Sequence, residues 1–237
     1  MKKRIWELDA FRGLCILGVV MVHLIYDLVE LYGILDWQYP TWFAFIKEWG
    51  GILFLLLSGI CATLGSHSVR RGLVVFSCGM IITGVTYGMY RMDMADKGII
   101  IYFGVLHCLG VCMMLWPVFR KAPWWILLLL GVLLVYLGFH METLPRPDTK
   151  YLMPLGLYWE GFNSADYFPL LPNLGYFLCG STLGILLYGK KRSLLPGISG
   201  GKGILGFLQW CGRQSLWIYL LHQPIISGVC WLIMMAQ

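Results

Sequence analysis

Residues Arg4 to Leu28 read RIWELDAFRGLCILGVVMVHLIYDL. A charged opening passes into an apolar run of roughly 20 residues, the length that crosses a ~30 Å hydrocarbon core at about 1.5 Å per residue. The Lys2-Lys3-Arg4 start in front of it has the look of a secretory leader. Asp9 and Arg12 interrupt that pattern, the run is too long, and no small-residue cleavage site follows, so the segment is expected to stay in place as a first membrane helix.

The same reading, extended outward, places helices near 11–33, 43–66, 72–91, 99–118, 123–140, 168–189 and 214–235, separated by charged or Pro/Gly-rich breaks. A helix over 204–235 would be about 48 Å long, so Gly203–Gly212 is expected to form an interfacial segment. Of the 237 residues, 59% are hydrophobic and 13% charged, against ~25% charged in soluble domains. This excludes a water-soluble globular domain. The expectation is an all-α, polytopic integral membrane helix bundle of about seven transmembrane helices, forming a single domain over 1–237.

The net charge of +6 suggests orientation in a bilayer rather than a nucleic-acid partner. Lys2, Lys3, Arg4, Arg12, Arg70, Arg71, Arg120, Lys121, Lys190, Lys191, Arg192, Lys202 and Arg213 fall on the N-terminal side, and only Lys47, Arg91, Lys97, Arg146 and Lys150 on the other. The positive-inside rule then puts the N-terminus in the cytoplasm and, after an odd number of spans, the C-terminus outside a plasma membrane. The eight cysteines lie in or beside apolar runs and read as small buried hydrophobes. His107, Cys108 and Cys112 are close in sequence, but His107 points about 100° from the face the two thiols share, so no metal is expected. The long polar connection Met141–Tyr167 carries Tyr158, Trp159, Phe162 and Tyr167, which suit either an interfacial aromatic belt or a face for a sugar.

An ionisable group in hydrocarbon costs free energy and marks a functional position by default. Arg12 and His23 are eleven residues apart, about 20° from a whole number of turns, so they share one helical stripe. Asp9, Asp27 and Glu30 continue that stripe, and His23 lies ~16 Å above Arg12, near the bilayer centre. His107, about eight residues in from the outer end of the fourth helix, and His222, similarly deep in the last, are expected to converge with it. Pro224 removes a helical donor just after His222-Gln223 and so favours a cavity there.

These residues also carry a resemblance. The opening segment, VLHCLGV in the fourth helix, DYFPLLPNLGYFLCG and the closing GRQSLWIYLLHQP resemble the family of the catalytic domain of heparan-alpha-glucosaminide N-acetyltransferase, over nearly the whole chain. The resemblance implies a helical bundle that takes acetyl from cytosolic acetyl-CoA, as co-substrate, and delivers it to a glycan or amino-sugar acceptor beyond the membrane. Asp9 and Arg12 match the LDxxRG signature and His222 the end of the final-helix motif. The lysosomal enzyme carries its proposed catalytic histidine in the loop after the first helix, whereas Gly33–Pro40 here holds none. Either His23 takes over that chemistry or the acetylation is lost.

With His23 as general base, Asp27 orients its ring, and His107 or His222 donates to the thioester oxygen or positions the acceptor. Asp9, Arg12 and Arg213, at the cytoplasmic ends of spans, are the candidates for holding the donor. Besides the lipid bilayer, a second copy of the chain is a possible partner, since apolar faces serve either. The competing readings are a proton-coupled carrier of a small polar solute, using the stripe as a relay, and a non-catalytic partner of an envelope enzyme.

Overall fold

The computed structural model describes residues 4–198, 201 and 203–235, apart from the side chain of Glu48. Lys2, Lys3 and Lys202 of the charge count above lie outside the described residues. Among the described residues eight α-helices run in order: α1 (Trp6–Tyr26), α2 (Thr41–Leu64), α3 (Ser68–Arg91), α4 (Val105–Phe119), α5 (Trp124–Glu142), α6 (Leu170–Tyr188), α7 (Gly203–Arg213) and α8 (Ser215–Met235). Among the described residues there is no strand, only an isolated bridge between Phe103 and Tyr167. Six helices are long and apolar enough to cross a membrane, and α4 is a shorter apolar one. Large apolar side chains cover their outer faces: Leu129 is 64% exposed and Tyr136 65% on α5 alone. Such surface is stable only where the solvent is lipid, and the protein is a polytopic helical membrane bundle.

The chain divides into two compact units, one of residues up to Phe54 with those from Lys190 onward, the other Leu55–Gly189. In the second unit, helices meet through reciprocal glycines. A Cβ on Gly131 of α5 would reach the Gly175 carbonyl at 3.0 Å, and one on Gly175 of α6 would reach the Gly131 carbonyl at 2.6 Å. Gly72 of α3 and Gly110 of α4 repeat the arrangement at 2.6 and 2.9 Å. In the first unit, Gly13 of α1 lies against the Leu208 carbonyl and Gly212 of α7 against that of Asp9. Without a hydrophobic driving force between helices in lipid, close backbone approach at small residues supplies the packing.

The fourth helix departs from the expected 99–118. Lys97–Ile99 form a single 3₁₀ turn, residues 100–104 are extended, and α4 begins at Val105. An apolar β-branched stretch reads equally as helix or strand, and here it finds partners in 164–168. The Ser164 hydroxyl donates to the Ile100 carbonyl (2.8 Å) and the Phe168 N–H to the Phe103 carbonyl (2.9 Å). The carboxylate of Asp166 accepts from the Val105 N–H (3.0 Å), capping the positive end of α4. His107 therefore sits in the first turn of its helix, not eight residues deep. α7 is a separate helix from α8, which starts after Arg213 as expected and runs unbroken through Pro224.

Candidate functional site

The first unit brings α1 and α8 together along two consecutive rungs. The ring of His23 meets that of His222 edge to face, centroids 4.9 Å apart at 66°. One turn on, Asp27 is 1% exposed and its Oδ2 accepts from Gln223 Nε2 at 2.7 Å. Asp27 opens a widened turn, Asp27–Leu31, closed by a hydrogen bond from Tyr32 N–H to the Asp27 carbonyl (2.9 Å), five residues back instead of four. An isolated carboxylate could not be buried so completely; the Gln223 amide is what makes its burial tolerable. The orienting bond expected from Asp27 to His23 goes to Gln223 instead.

His222 is buried at 8% exposure. Its Nδ1 lies 2.6 Å from the Tyr219 carbonyl, while Nε2 is buried and has no hydrogen-bond partner among the described residues; the same holds for Gln223 Oε1. Two buried polar atoms thus stand open beside the His23–His222 contact. Toward the other end of α1, Asp9 bridges Arg4 (3.7 Å) and Arg12 (3.9 Å). Glu7 accepts from the Ser193 hydroxyl (2.9 Å) and the Leu194 N–H (2.8 Å), tying the segment before α7 to the start of α1. Arg213 is exposed at the end of α7.

His107 belongs to the second unit, where both of its ring nitrogens are engaged. The Gly104 N–H donates to Nδ1 (3.2 Å) and Nε2 stands 3.3 Å from the Thr83 hydroxyl, which itself donates to the Ile101 carbonyl (2.6 Å). Phe76 lies edge-on at 5.4 Å and Phe103 stacks at 5.5 Å. The Cys108 thiol contacts the Pro169 carbonyl at 3.7 Å, and both it and Cys112 are fully buried.

The connection before α6 also lies in the second unit. Phe162 is the hub of its aromatic cluster, with ring centroids 4.8 Å from Trp159, 4.9 Å from Tyr167 and 5.1 Å from Tyr158. Arg146 lies over Tyr158 (4.8 Å) and Lys150 over Trp159 (5.5 Å), beside a cleft of about 320 Å³ lined by Arg146, Asp148 and Glu160. Burial pushes the Tyr167 phenol above its ordinary value, and the hydroxyl donates to the Met153 carbonyl at 2.7 Å. The rings face one another or a cation, so the cluster in this state is a packed unit.

Gln223 is a site residue that neither charge nor imidazole marks in the sequence. An amide in an apolar helix, adjacent to a histidine and before a proline, was the available signal.

A membrane-embedded helical bundle with a paired imidazole contact and a buried carboxylate is the class that fold and site define. The chain matches the family described as heparan-alpha-glucosaminide N-acetyltransferase, catalytic, over residues 4–224. It belongs to that family, which makes it a membrane protein of acetyltransferase type. No individual curated protein matches it.

Proposed function

We propose that the protein transfers an acetyl group from cytosolic acetyl-CoA to a sugar or glycan acceptor outside the plasma membrane, with its N-terminus in the cytoplasm, its C-terminus outside and 1–237 acting as one domain. The observation that carries this reading is the meeting of His23 and His222 beside the Asp27–Gln223 bond, on the first and last helices of a chain that belongs to this family. An uncharged imidazole can take the proton of an attacking amine or hydroxyl, and a polar amide and carboxylate nearby suit an acceptor that carries hydroxyls. Asp9, Arg12 and Arg213 supply the polar and cationic groups toward the donor's phosphates. His107, with both nitrogens engaged, is read as holding α4 to α3, not as touching substrate.

The test requires no knowledge of the acceptor. A ligand that binds only the folded state stabilises it by ~2.7 kcal/mol at a hundred times its Kd, so acetyl-CoA is expected to raise the melting temperature of the detergent-purified chain, and less so in Arg12→Ala. In the same preparation, CoA release with a panel of amino sugars and polysaccharides should follow, and His23→Ala should suppress it. No melting shift at millimolar acetyl-CoA, together with solute flux in proteoliposomes lacking any acyl donor, would assign the polar stripe to a carrier instead.

A further inference from the structure

A backbone carbonyl has lone pairs and no proton, so the 2.6 Å contact between His222 Nδ1 and the Tyr219 oxygen requires the ring proton on Nδ1. The neutral ring then presents its lone pair on Nε2, the buried atom that has no partner among the described residues. Buried acceptors are ordinarily satisfied, because leaving one open costs free energy. His107 shows the ordinary solution in the same chain: Gly104 N–H must donate to its Nδ1, so its proton is on Nε2 and is directed at Thr83. The two buried rings carry opposite tautomers, and only that of His222 leaves a basic nitrogen uncommitted.

The neighbouring rung accounts for how that nitrogen is aimed. Residue 223 follows 222 by about 100° around α8. The Gln223–Asp27 bond therefore fixes the rotation of α8 about its own axis against α1, and with it the direction of the His222 ring. The edge contact of His23 at 4.9 Å limits the ring from its other side.

Resting on the acetyl-transfer reading above, we propose that Nε2 of His222, not His23, takes the acceptor's proton, and that the Asp27–Gln223 pair is the device that positions it. As the acceptor amine or hydroxyl attacks the thioester carbon, its proton passes to Nε2 while the new N–C or O–C bond forms. The C–S bond then breaks, and the proton leaves Nε2 for the departing sulfur. The products are acetylated acceptor and free CoA thiol, and the imidazole is neutral again.

Two measurements on the full detergent-purified chain test this. In ¹⁵N-histidine NMR, with the resonances assigned through His222→Gln, His222 should carry its proton on Nδ1 and His107 on Nε2. In CoA-release assays with acetyl-CoA and glucosamine or a polysaccharide acceptor, His222→Gln should lower kcat by on the order of 10²- to 10⁴-fold. The KM for acetyl-CoA should stay within about twofold, and added 4-methylimidazole should partly restore His222→Ala. Gln223→Leu should lower kcat by about tenfold with KM retained, whereas a merely structural pair would lower the melting temperature and leave the kcat of folded protein alone. A His222 proton on Nε2, or a His222→Gln variant that turns over like an unsubstituted chain that does transfer acetyl, overturns the assignment by itself. Absence of CoA release from the unsubstituted chain with every acceptor overturns the transfer reading, and this assignment with it.

Discussion

His107 and His222 are both imidazoles of apolar helices with little exposure, 2% and 8%, yet they are spent differently. In the second unit, Gly104 and Thr83 engage both nitrogens of the His107 ring and two phenylalanines pack against it, securing the start of α4. In the first unit, His222 commits one nitrogen to its own helix, and the other has no partner among the described residues. The difference teaches that burial of a histidine is not by itself a sign of chemistry. The proposed role of His222 rests instead on an unspent lone pair whose direction is maintained by its neighbours.

Substitutions at the two rings should separate turnover from stability. The largest effect is expected from His222→Gln, a loss of CoA release on the order of 10²- to 10⁴-fold with a nearly unchanged melt; a large fall in melting temperature would erase the contrast. His107→Ala should act on the fold, losing about 3 kcal/mol through a cavity and the stranded Gly104 N–H, read from denaturation in mild detergent. Beside it, Gly110→Val drives a side chain into Phe76, whose Cβ would be 2.7 Å from the new Cβ, and should cost about 2 kcal/mol. The smallest effect belongs to Asp166→Asn, which weakens the charged cap on α4 and should cost about 1 kcal/mol. A neutral outcome there would mean that His107 and its aromatic partners hold the helix start without help.

Most of the helices were legible because runs of apolar residues bounded by charge and proline are set by the thickness of hydrocarbon, a constraint local to each segment. The start of α4 was not legible, since Ile99–Ile101 are apolar in either conformation and their partners, Ser164 to Phe168, lie some sixty residues away. The stripe through Asp9, Arg12, His23 and Asp27 could be read from helical spacing alone. Spacing on one helix says nothing of what the facing helix offers, which is why Gln223 took the bond expected for His23. Glycine content was likewise visible as number but not as pairing: Gly13 with Gly212, Gly72 with Gly110 and Gly131 with Gly175 acquire their meaning only across helices.

The widened turn at Asp27–Leu31 is the last turn of the first helix, and the chain is irregular from there to Pro40. The residues of that turn are thereby shifted in phase from the face that carries His23 and Asp27. The segment Gly33–Pro40 is thus joined to the first helix through a turn of different pitch, so a change of length there need not rotate the histidine and carboxylate of that helix against the last one.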